Sequence, residues 1–280
     1  MFIFRKITDL QAFLSKALDE GKSLGFVPTM GALHAGHLSL IAAAQDRNQL
    51  VICSIFVNPT QFNNAADLEH YPRSEADDIR LLEQAGCDIL FLPDVQEVYP
   101  EGMQASTTYP LGDLESHFEG AHRPGHFQGV AQVVDRLLDI IKPHAIYLGQ
   151  KDYQQVAVLT RMLQLQGNST SVIVVPTMRE PDGLAMSSRN RRLTEPQRAV
   201  AGVIYQCLVS VQAKQGVQHF SVVQKECKDI LTHKGFRLDY ISLADASTLE
   251  PLDDYEPGRP MVVLLAAHLG DIRLIDNLLL

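Results

Sequence analysis

Apolar residues follow two spacings that alternate along the chain. Strands are predicted at 25–27, 51–57, 88–92, 144–148 and 171–175, and the apolar run at 51–57 has the length of a strand that is covered on both faces. Between them, apolar residues at three-and-four spacing predict amphipathic helices over 9–20, 37–46, 74–84 and 126–142. This alternation predicts an α/β fold with a Rossmann-like, doubly wound parallel sheet.

The pattern changes near residue 190. Helices are predicted over 194–214 and 221–233, and strands over 237–243, 261–268 and 272–275. We therefore expect a second, smaller C-terminal α/β domain with antiparallel strands, and we divide the chain into 1–184 and 185–280. Residues 93–125, which contain several Pro and Gly, are expected to be irregular.

Composition narrows the function classes. The chain has 280 residues, 46% of them hydrophobic, and a net charge of −9 without a basic block, which argues against a nucleic-acid partner. The N-terminus does not resemble a signal peptide, and no window approaches the about 18 apolar residues of a membrane span. We expect a cytoplasmic protein without a membrane partner. Four cysteines without a Cys-x-x-Cys pair indicate buried, reduced thiols.

The first predicted strand leads through a glycine-containing turn into a helix. Pro28 is expected to end the strand, and the turn to expose free backbone N–H groups at a helix N-terminus, where a phosphate binds well. His34 and His37 are three residues apart, so on a first helical turn they would share a face. They could contact phosphate oxygens and supply protons or positive charge. A zinc pair is the alternative, but no obvious third ligand follows.

Polar residues follow three other predicted strands. Gln61 comes after the strand at 51–57, Lys151 and Gln155 come after the strand at 144–148, and Ser187, Ser188 and Arg189 come after the strand at 171–175. Each group alone is typical of a solvated loop. Because carboxyl ends of parallel strands meet at one sheet edge, we expect these loops to converge on one crevice.

Five motifs occur in one order along nearly the whole chain. They are His-Ala-Gly-His at 34–37, Phe-Val-Asn-Pro-Thr-Gln-Phe at 56–62, Tyr-Pro-Arg at 71–73, Gly-Gln-Lys-Asp-Tyr-Gln-Gln at 149–155, and Arg-Glu-Pro-Asp-Gly-Leu-Ala-Met-Ser-Ser-Arg-Asn at 179–190. Together they resemble the pantoate–β-alanine ligase family of the nucleotidyltransferase superfamily. The resemblance implies ATP-dependent condensation of pantoate with β-alanine through a pantoyl adenylate, Mg²⁺ on the polyphosphate, and a homodimer. It also implies that 1–184 binds ATP and pantoate, and that 185–280 is a lid that supports the dimer.

The same resemblance implies residue roles. His37 is the expected proton donor, and the catalytic set also holds His34, Lys151, Ser187, Ser188 and Arg189. Gln61 and Gln155 are expected to bind pantoate, with Gln61 also near β-alanine. No protein ligand of a metal is assigned; Asp77 and Asp78 are only candidates for carboxylates near Mg²⁺. The expected ATP-binding residues are Met30, Gly31, Ala32, Leu33, His34, Ala35, Gly36, His37, Gly149, Gln150, Lys151, Asp152, Met178, Met186, Ser187, Ser188 and Arg189. At Met178 a smaller residue such as Val would be expected against the adenine.

Two other functions stay open at this point. A nucleotidyltransferase acting on another small-molecule acceptor would share the His-Ala-Gly-His turn but would not need Gln61 or Gln155. A non-catalytic nucleotide-binding regulator would bind ATP without releasing pyrophosphate. Release of AMP that depends on β-alanine separates the ligase from both.

Overall fold

The computed structural model describes residues 1–62, 68–69, 71–103 and 107–280. The chain forms two compact units. The first comprises Met1–Gly149 and Val158–Val175, and the second comprises Gln150–Ala157 and Pro176–Leu280. The sequence-based division between 184 and 185 had left residues 150–157 and 176–184 in the first domain. The structure groups both segments with the second unit because their backbone and side-chain partners lie there, as described below.

The first unit contains a six-stranded sheet in which every paired strand is parallel. Its order is β1-β4-β3-β2-β5-β6. This confirms the predicted doubly wound α/β class. The strands are β1 Phe2–Phe4, β2 Leu24–Thr29, β3 Leu50–Ile55, β4 Ile89–Phe91, β5 Ala145–Gly149 and β6 Ser171–Val175.

Helices connect these strands. They are α1 Ile7–Asp19, α2 Ala35–Gln45, α3 Glu75–Gln84, α4 Val95–Val98, α5 Phe118–His122, α6 His126–Ile141 and α7 Tyr153–Gln166, of which α7 runs from the second unit into the first. The expectation that 93–125 is irregular was wrong in part, because α4, α5 and a 3-10 turn at Gly112–Glu115 lie there; residues 104–106 are outside the described part.

Two differences between the first sheet and its prediction concern β1 and Pro28. The sequence pattern missed β1, which pairs with β4 at the edge of the sheet. Pro28 does not end β2, which continues to Thr29. β2 pairs with β5 only at Gly25 and Phe26, so Pro28 lies beyond that ladder and its missing N–H costs no hydrogen bond there.

The sheet order places a topological switch point between β2 and β5. From β2 the chain builds outward through β3 to β4, and then returns to place β5 on the other side of β2. In open α/β sheets, ligands bind outside the carboxyl ends of the strands at such a point. The turn at 30–34 leaves β2 there, and Gly149 ends β5 at the same edge.

The second unit is built on an antiparallel sheet of order β10-β9-β7-β8. Its elements are β7 Phe236–Asp245, β8 Pro251–Leu252, β9 Met261–Leu269, β10 Ile272–Leu279, α8 Glu195–Ala201, α9 Val203–Ala213 and α10 Phe220–His233. The single helix predicted over 194–214 is therefore wrong. It is broken at Gly202, where an added Cβ would lie 2.7 Å from the carbonyl oxygen of Asp182.

Each unit has its own core. In the first, Val27, Val51 and Leu90 pack with Ile41 of α2. In the second, residues of α9 and α10 cover the inward face of β9, including Val263 and Leu265. Among the described residues, no helix is both long and apolar enough to cross a membrane. All four cysteines lie in the described part and are buried without a disulfide, as expected, and burial raises the pKa of Cys87 to about 11.

Candidate active site

The turn between β2 and α2 is held by a buried carboxylate. Asp78 of α3 is 2% exposed, and its two carboxylate oxygens accept the backbone N–H groups of Ala32 (2.9 Å) and Leu33 (2.8 Å). The Oγ atom of Ser74 donates to the same carboxylate at 3.2 Å. Ala32 has a positive φ of 51°, an uncommon conformation for a residue with a side chain. The carboxylate thus fixes a strained turn by bonding its amides directly.

This clamp corrects one expectation. The turn was expected to offer free backbone N–H groups to a phosphate, but those amides are already engaged. The N–H of Gly31 donates to Thr29 Oγ1 at 3.2 Å, and Ala32 and Leu33 donate to Asp78. The sequence could not show this, because Asp78 is 46 residues away from Ala32 along the chain. Groups other than these three amides must therefore present donors to a ligand.

His34 and His37 lie together at the N-terminus of α2. Their ring centroids are 4.1 Å apart, and His34 is the N-cap residue. The Nδ1 atom of His34 accepts the N–H of Gly36 at 3.1 Å, and the Nδ1 atom of His37 accepts the N–H of His34 at 3.3 Å. Because both Nδ1 atoms are acceptors, each neutral ring carries its proton on Nε2. The two imidazoles, which are both half-buried, thus act as oriented N–H donors.

Gln61 lies next to Met30, as the convergence of strand ends predicted. It ends the 3-10 turn Pro59–Gln61 that follows β3, and its Nε2 atom lies 2.9 Å from the sulfur of Met30. Asn58, which is 1% exposed, caps this turn. Its Nδ2 atom donates to Thr60 Oγ1 at 2.9 Å, and its Oδ1 atom accepts the hydroxyl of Tyr99 at 3.1 Å. The amide of Gln61 is therefore presented by a fixed loop.

Helix α6 packs against the same loop, and the sequence did not reveal this contact. His126 donates from Nδ1 to the carbonyl of Gln61 at 2.8 Å, and Asn58 Nδ2 donates to the carbonyl of Gly129 at 3.2 Å. A Cβ on Gly129 would lie 2.6 Å from the carbonyl oxygen of Thr60, so only glycine permits this approach. The one available signal was an isolated Gly in a strongly periodic helix.

In the second unit, the 3-10 turn Gln150–Asp152 carries Lys151. Its side chain is 20% exposed, and its Nζ atom is 3.9 Å from Asp152 Oδ1, a distance at which the ammonium is not closely paired. Gln155 is half-buried in the first turn of α7. Lys151 and Gln155 therefore lie on adjoining turns of one segment, as the sequence implied.

A short hairpin carries the Met-Ser-Ser-Arg run. Arg179 and Ala185 form an antiparallel bridge, and the N–H of Met186 donates to the carbonyl of Met178 at 3.0 Å. Ser187 caps the 3-10 turn Ser188–Arg192, and its Oγ atom accepts the N–H of Arg189. Ser188 is 5% exposed, so its hydroxyl faces the protein interior, whereas Ser187 and Arg189 are half-buried. The Met178 side chain is 42% exposed.

A buried ion pair supports this hairpin. Arg179 donates to both carboxylate oxygens of Asp276 at 2.6 and 3.0 Å, and its guanidinium lies 3.9 Å over the ring of Tyr205. Burial raises the pKa of the Asp276 carboxyl, and the arginine acts against that rise. Such a bidentate, stacked pair is geometrically specific. Neither Arg179 nor Asp276 was singled out from the sequence.

The two aspartates considered as neighbours of Mg²⁺ differ in environment. Both oxygens of Asp78 accept backbone amides, so a metal would displace the bonds that hold the turn. Asp77 is exposed and pairs with Arg80 at 3.2 Å. Within the described residues, no group of three His, Cys, Asp or Glu side chains has the geometry of a metal site. The hydrogen-bonded oxygens of Asp78 therefore make this carboxylate a poor ligand for Mg²⁺.

Comparison with known proteins extends over the whole chain. The family model described as pantoate-beta-alanine ligase matches residues 2–279. The pantothenate synthetase of Pseudomonas fluorescens strain Pf0-1 is 45% identical over 276 residues, which cover 98% of this chain and 96% of the relative. The pantothenate synthetase of Cytophaga hutchinsonii is 44% identical, with 100% and 99% covered.

Solved structures agree with these sequence relatives. The crystal structure of pantothenate synthetase from Thermus thermophilus superposes with a TM-score of 0.92 at 41% identity, covering 99% of both chains. The pantoate-beta-alanine ligase of Francisella tularensis, solved as a complex with beta-gamma ATP and beta-alanine, gives a TM-score of 0.83 at 37% identity. It covers 100% of this chain and 97% of the Francisella chain.

Proposed function

The chain belongs to the pantoate–β-alanine ligase family, and from this membership we propose the course of its reaction and the residues that carry it. The activity is that of a ligase in pantothenate biosynthesis, which uses ATP to form the amide between pantoate and β-alanine. The complex of the Francisella relative supports ATP and β-alanine as ligands here. The observation that carries the residue assignments is the oriented imidazole pair at the switch point of the sheet.

The proposed reaction has two steps. A carboxylate oxygen of pantoate attacks the α-phosphorus of ATP, and the bond between that phosphorus and the oxygen bridging to the β-phosphate breaks. Pyrophosphate is released, and pantoyl adenylate remains. The amine of β-alanine then attacks the acyl carbon, AMP leaves with the acyl oxygen, and the amine loses a proton. Both steps place negative charge on phosphate oxygens, so preorganised donors and cations supply most of the catalysis.

His34 and His37 serve as donors to the phosphates in this proposal. Because the backbone N–H groups at the start of α2 occupy both Nδ1 atoms, Nε2–H is the donor of each neutral ring. A second proton on Nδ1 of either ring would oppose the backbone N–H group that this atom accepts. His37 then stabilises developing charge by a hydrogen bond from Nε2–H. Loss of that proton from a neutral ring would form an imidazolate, so His37 contributes a hydrogen bond in this proposal, and the proton-donor role implied by the resemblance stays a prediction. Met30 and residues 31–36 shape the backbone around the nucleotide.

The second unit contributes cations and hydroxyls. We assign Lys151, Ser187 and Arg189 to the phosphates of ATP, since each is at least partly exposed on a turn. Ser188 is almost completely buried, so its proposed contribution is through the shape of the turn and its backbone. The remaining ATP contacts expected from the sequence, at Gly149, Gln150, Asp152, Met178 and Met186, stay predictions.

Gln61 and Gln155 are proposed to bind the hydroxyl and carboxylate groups of pantoate. Neither amide can move a proton, so their contribution is hydrogen bonding. For Gln61 the support is the rigid loop beneath it, fixed by Asn58, His126 and the approach of Gly129. A site built in this way discriminates against acids that lack matching groups.

The magnesium ion expected with ATP is proposed to enter as part of the substrate, MgATP. The engaged oxygens of Asp78 support this over a protein-held ion. A homodimer, a cytoplasmic location and a lid-like role of 185–280 likewise stay proposals that depend on the family resemblance. Light scattering on the purified protein tests the first, and cell fractionation the second.

Pyrophosphate and AMP release test the function directly. With ATP and pantoate alone we expect at most one pyrophosphate per enzyme, and with β-alanine continued turnover and one AMP per pantothenate formed. Omitting pantoate is the control. Continued pyrophosphate release that ignores β-alanine would instead support the nucleotidyltransferase alternative, and ATP binding without any pyrophosphate would support the regulator.

A further inference from the structure

One buried asparagine of β10 is bonded to the turn that carries Lys151. Asn277 is 1% exposed, and its Nδ2 atom donates to the carbonyls of Gln150 and Lys151, both at 2.9 Å. Its Oδ1 atom accepts Nε2 of Gln150 at 3.2 Å. Both N–H donors and the oxygen of the Asn277 side chain therefore form hydrogen bonds with two consecutive residues, Gln150 and Lys151.

The neighbouring residue of the same strand holds the hairpin of the Met-Ser-Ser-Arg run. Asp276 binds Arg179 through both oxygens, and Arg179 also donates to the carbonyls of Gly183 (3.0 Å) and Asn277 (3.3 Å). The N–H of Asn277 in turn donates to Asp276 Oδ1 at 2.8 Å. Two adjacent buried residues thus connect two ATP-binding segments that lie about 30 positions apart in sequence, within one unit.

We propose that Asn277 and Asp276 are positioning residues for the adenylation of pantoate by ATP: Asn277 fixes the turn that presents Lys151, and Asp276 fixes, through Arg179, the hairpin that presents Ser187 and Arg189. This inference rests on the proposed function, since it assigns Lys151 to the phosphates. Asp276 and Asn277 are buried, at 3% and 1% exposed, so they act through the turn and the hairpin that they hold. Their effect is on where a cation and a hydroxyl lie when charge develops, and misplacement by about 1 Å can cost about 100-fold in rate.

The geometry favours positioning over simple stabilisation. An apolar residue at this buried strand position would leave the carbonyls of Gln150 and Lys151 without these donors, whereas a side chain with two donors satisfies both. The adjacent Leu278 offers a matched control. It is half-buried and packs against the core of the second unit, and its apolar side chain cannot hydrogen-bond the turn or the hairpin.

The experiment compares Asn277→Ala, Asn277→Ser, Leu278→Ala and Lys151→Ala with the unaltered full-length protein. Pantoate-dependent pyrophosphate release is measured by single turnover, and unfolding midpoints in urea by circular dichroism. We expect Asn277→Ala to slow adenylation by about 10- to 100-fold. Asn277→Ser, which keeps one donor, should lie between Asn277→Ala and the unaltered protein, and Leu278→Ala should adenylate within about threefold of it despite lost stability.

Two further measurements separate positioning from loss of fold. Hydrogen exchange at the amides of 150–153 should be about tenfold faster in Asn277→Ala but not in Leu278→Ala. The double variant Lys151→Ala/Asn277→Ala should adenylate at most about threefold more slowly than Lys151→Ala alone. Once the lysine is absent, the positioning of its turn by Asn277 no longer affects the rate.

The outcomes are distinguishable. Normal adenylation by Lys151→Ala would overturn the proposed role of Lys151 and this inference with it. An impaired Lys151→Ala beside an Asn277→Ala that matches Leu278→Ala in rate and exchange would overturn the inference alone. Additive losses in the double variant would also overturn it. If Asn277→Ala does not fold, Asn277→Ser carries the same comparisons.

Discussion

Removing the Asp78 carboxylate should release the turn that carries both imidazoles. The side chain is 2% exposed and bonds the N–H groups of Ala32 and Leu33. In Asp78→Ala both amides lose their acceptor in a buried place, since Ala32 and Leu33 are themselves 0% exposed. The turn also keeps the positive φ of Ala32, which the clamp had compensated.

The size of the loss follows from these bonds. Each buried donor left without a partner costs about 1–3 kcal/mol, so Asp78→Ala should lose about 2–6 kcal/mol of unfolding free energy. Asp78→Asn keeps one acceptor oxygen but turns an NH₂ group toward the second amide, and should lose about 1–3 kcal/mol. Adenylation should slow in both variants because His34 directly follows Leu33, so a change in the turn displaces its imidazole.

Asp77→Ala is the matched control. This adjacent aspartate is exposed and forms only a surface pair with Arg80, so its loss should change stability by about 0.5 kcal/mol or less. Urea unfolding followed by circular dichroism gives all three free energies, and a Mg²⁺ titration of pyrophosphate release shows whether either aspartate holds the metal. Equal stability of Asp78→Ala and Asp77→Ala would refute the clamp. A large rise in the Mg²⁺ requirement of either variant would refute the assignment of Mg²⁺ to the substrate.

Four further changes test other parts of the account. His37→Ala should slow pyrophosphate release by about 2–4 kcal/mol of transition-state stabilisation with an unchanged circular dichroism spectrum, and near-normal turnover would exclude its role. Gln61→Ala should weaken the pantoate-dependent reaction by about 1–3 kcal/mol and leave ATP affinity by calorimetry unaltered; the opposite pattern would move the pantoate site elsewhere. Gly129→Ala, which in an open helix would stabilise, should destabilise by about 1–3 kcal/mol in urea and impair the pantoate step, because its Cβ meets backbone; a gain in stability would contradict the close approach. Arg259 holds the pKa of Asp245 well below its usual range by a hydrogen bond. The stability that this pair contributes is therefore fully present above the unfolded pKa of about 3.9 and is lost progressively as pH falls from there toward the lower folded pKa. The urea midpoints of Arg259→Ala and the unaltered protein should differ at pH 7 and approach each other toward pH 2; a difference that stays constant would contradict this.

Local spacing determined the class of fold. Continuous apolar runs such as 51–57 are long enough for a strand covered on both faces, and three-and-four spacing in 126–142 fits only a helix, so the alternation predicted the parallel sheet. The change of pattern near residue 190 likewise predicted an antiparallel second unit. The break at Gly202 escaped this reasoning, because the helix pattern continues on both sides and the close approach of the Asp182 carbonyl to Gly202 is a tertiary contact.

The sequence also predicted that two parts of the candidate site lie at one edge of the sheet. His34, His37 and Gln61 stand directly after strands, and parallel topology alone brings the carboxyl ends of β2 and β3 to one edge. The contact between Gln61 and Met30 follows from that order without further information. Independently of topology, the five motifs in their sequence order resemble the family that the comparisons show.

Only the tertiary structure decided how those residues are held. The carboxylate that bonds Ala32 and Leu33 comes from α3, and the amide that bonds the carbonyl of Lys151 comes from β10, 126 positions along the chain. No local pattern encodes such pairs, because periodicity reports which face of an element is buried and not which buried polar atom meets which backbone group. The nature of the donors at the His-Ala-Gly-His turn changed for that reason. Sequence predicted open amides, whereas Thr29 accepts the amide of Gly31 and Asp78 accepts those of Ala32 and Leu33. The donors that we propose at this turn are therefore the imidazoles of the two histidines.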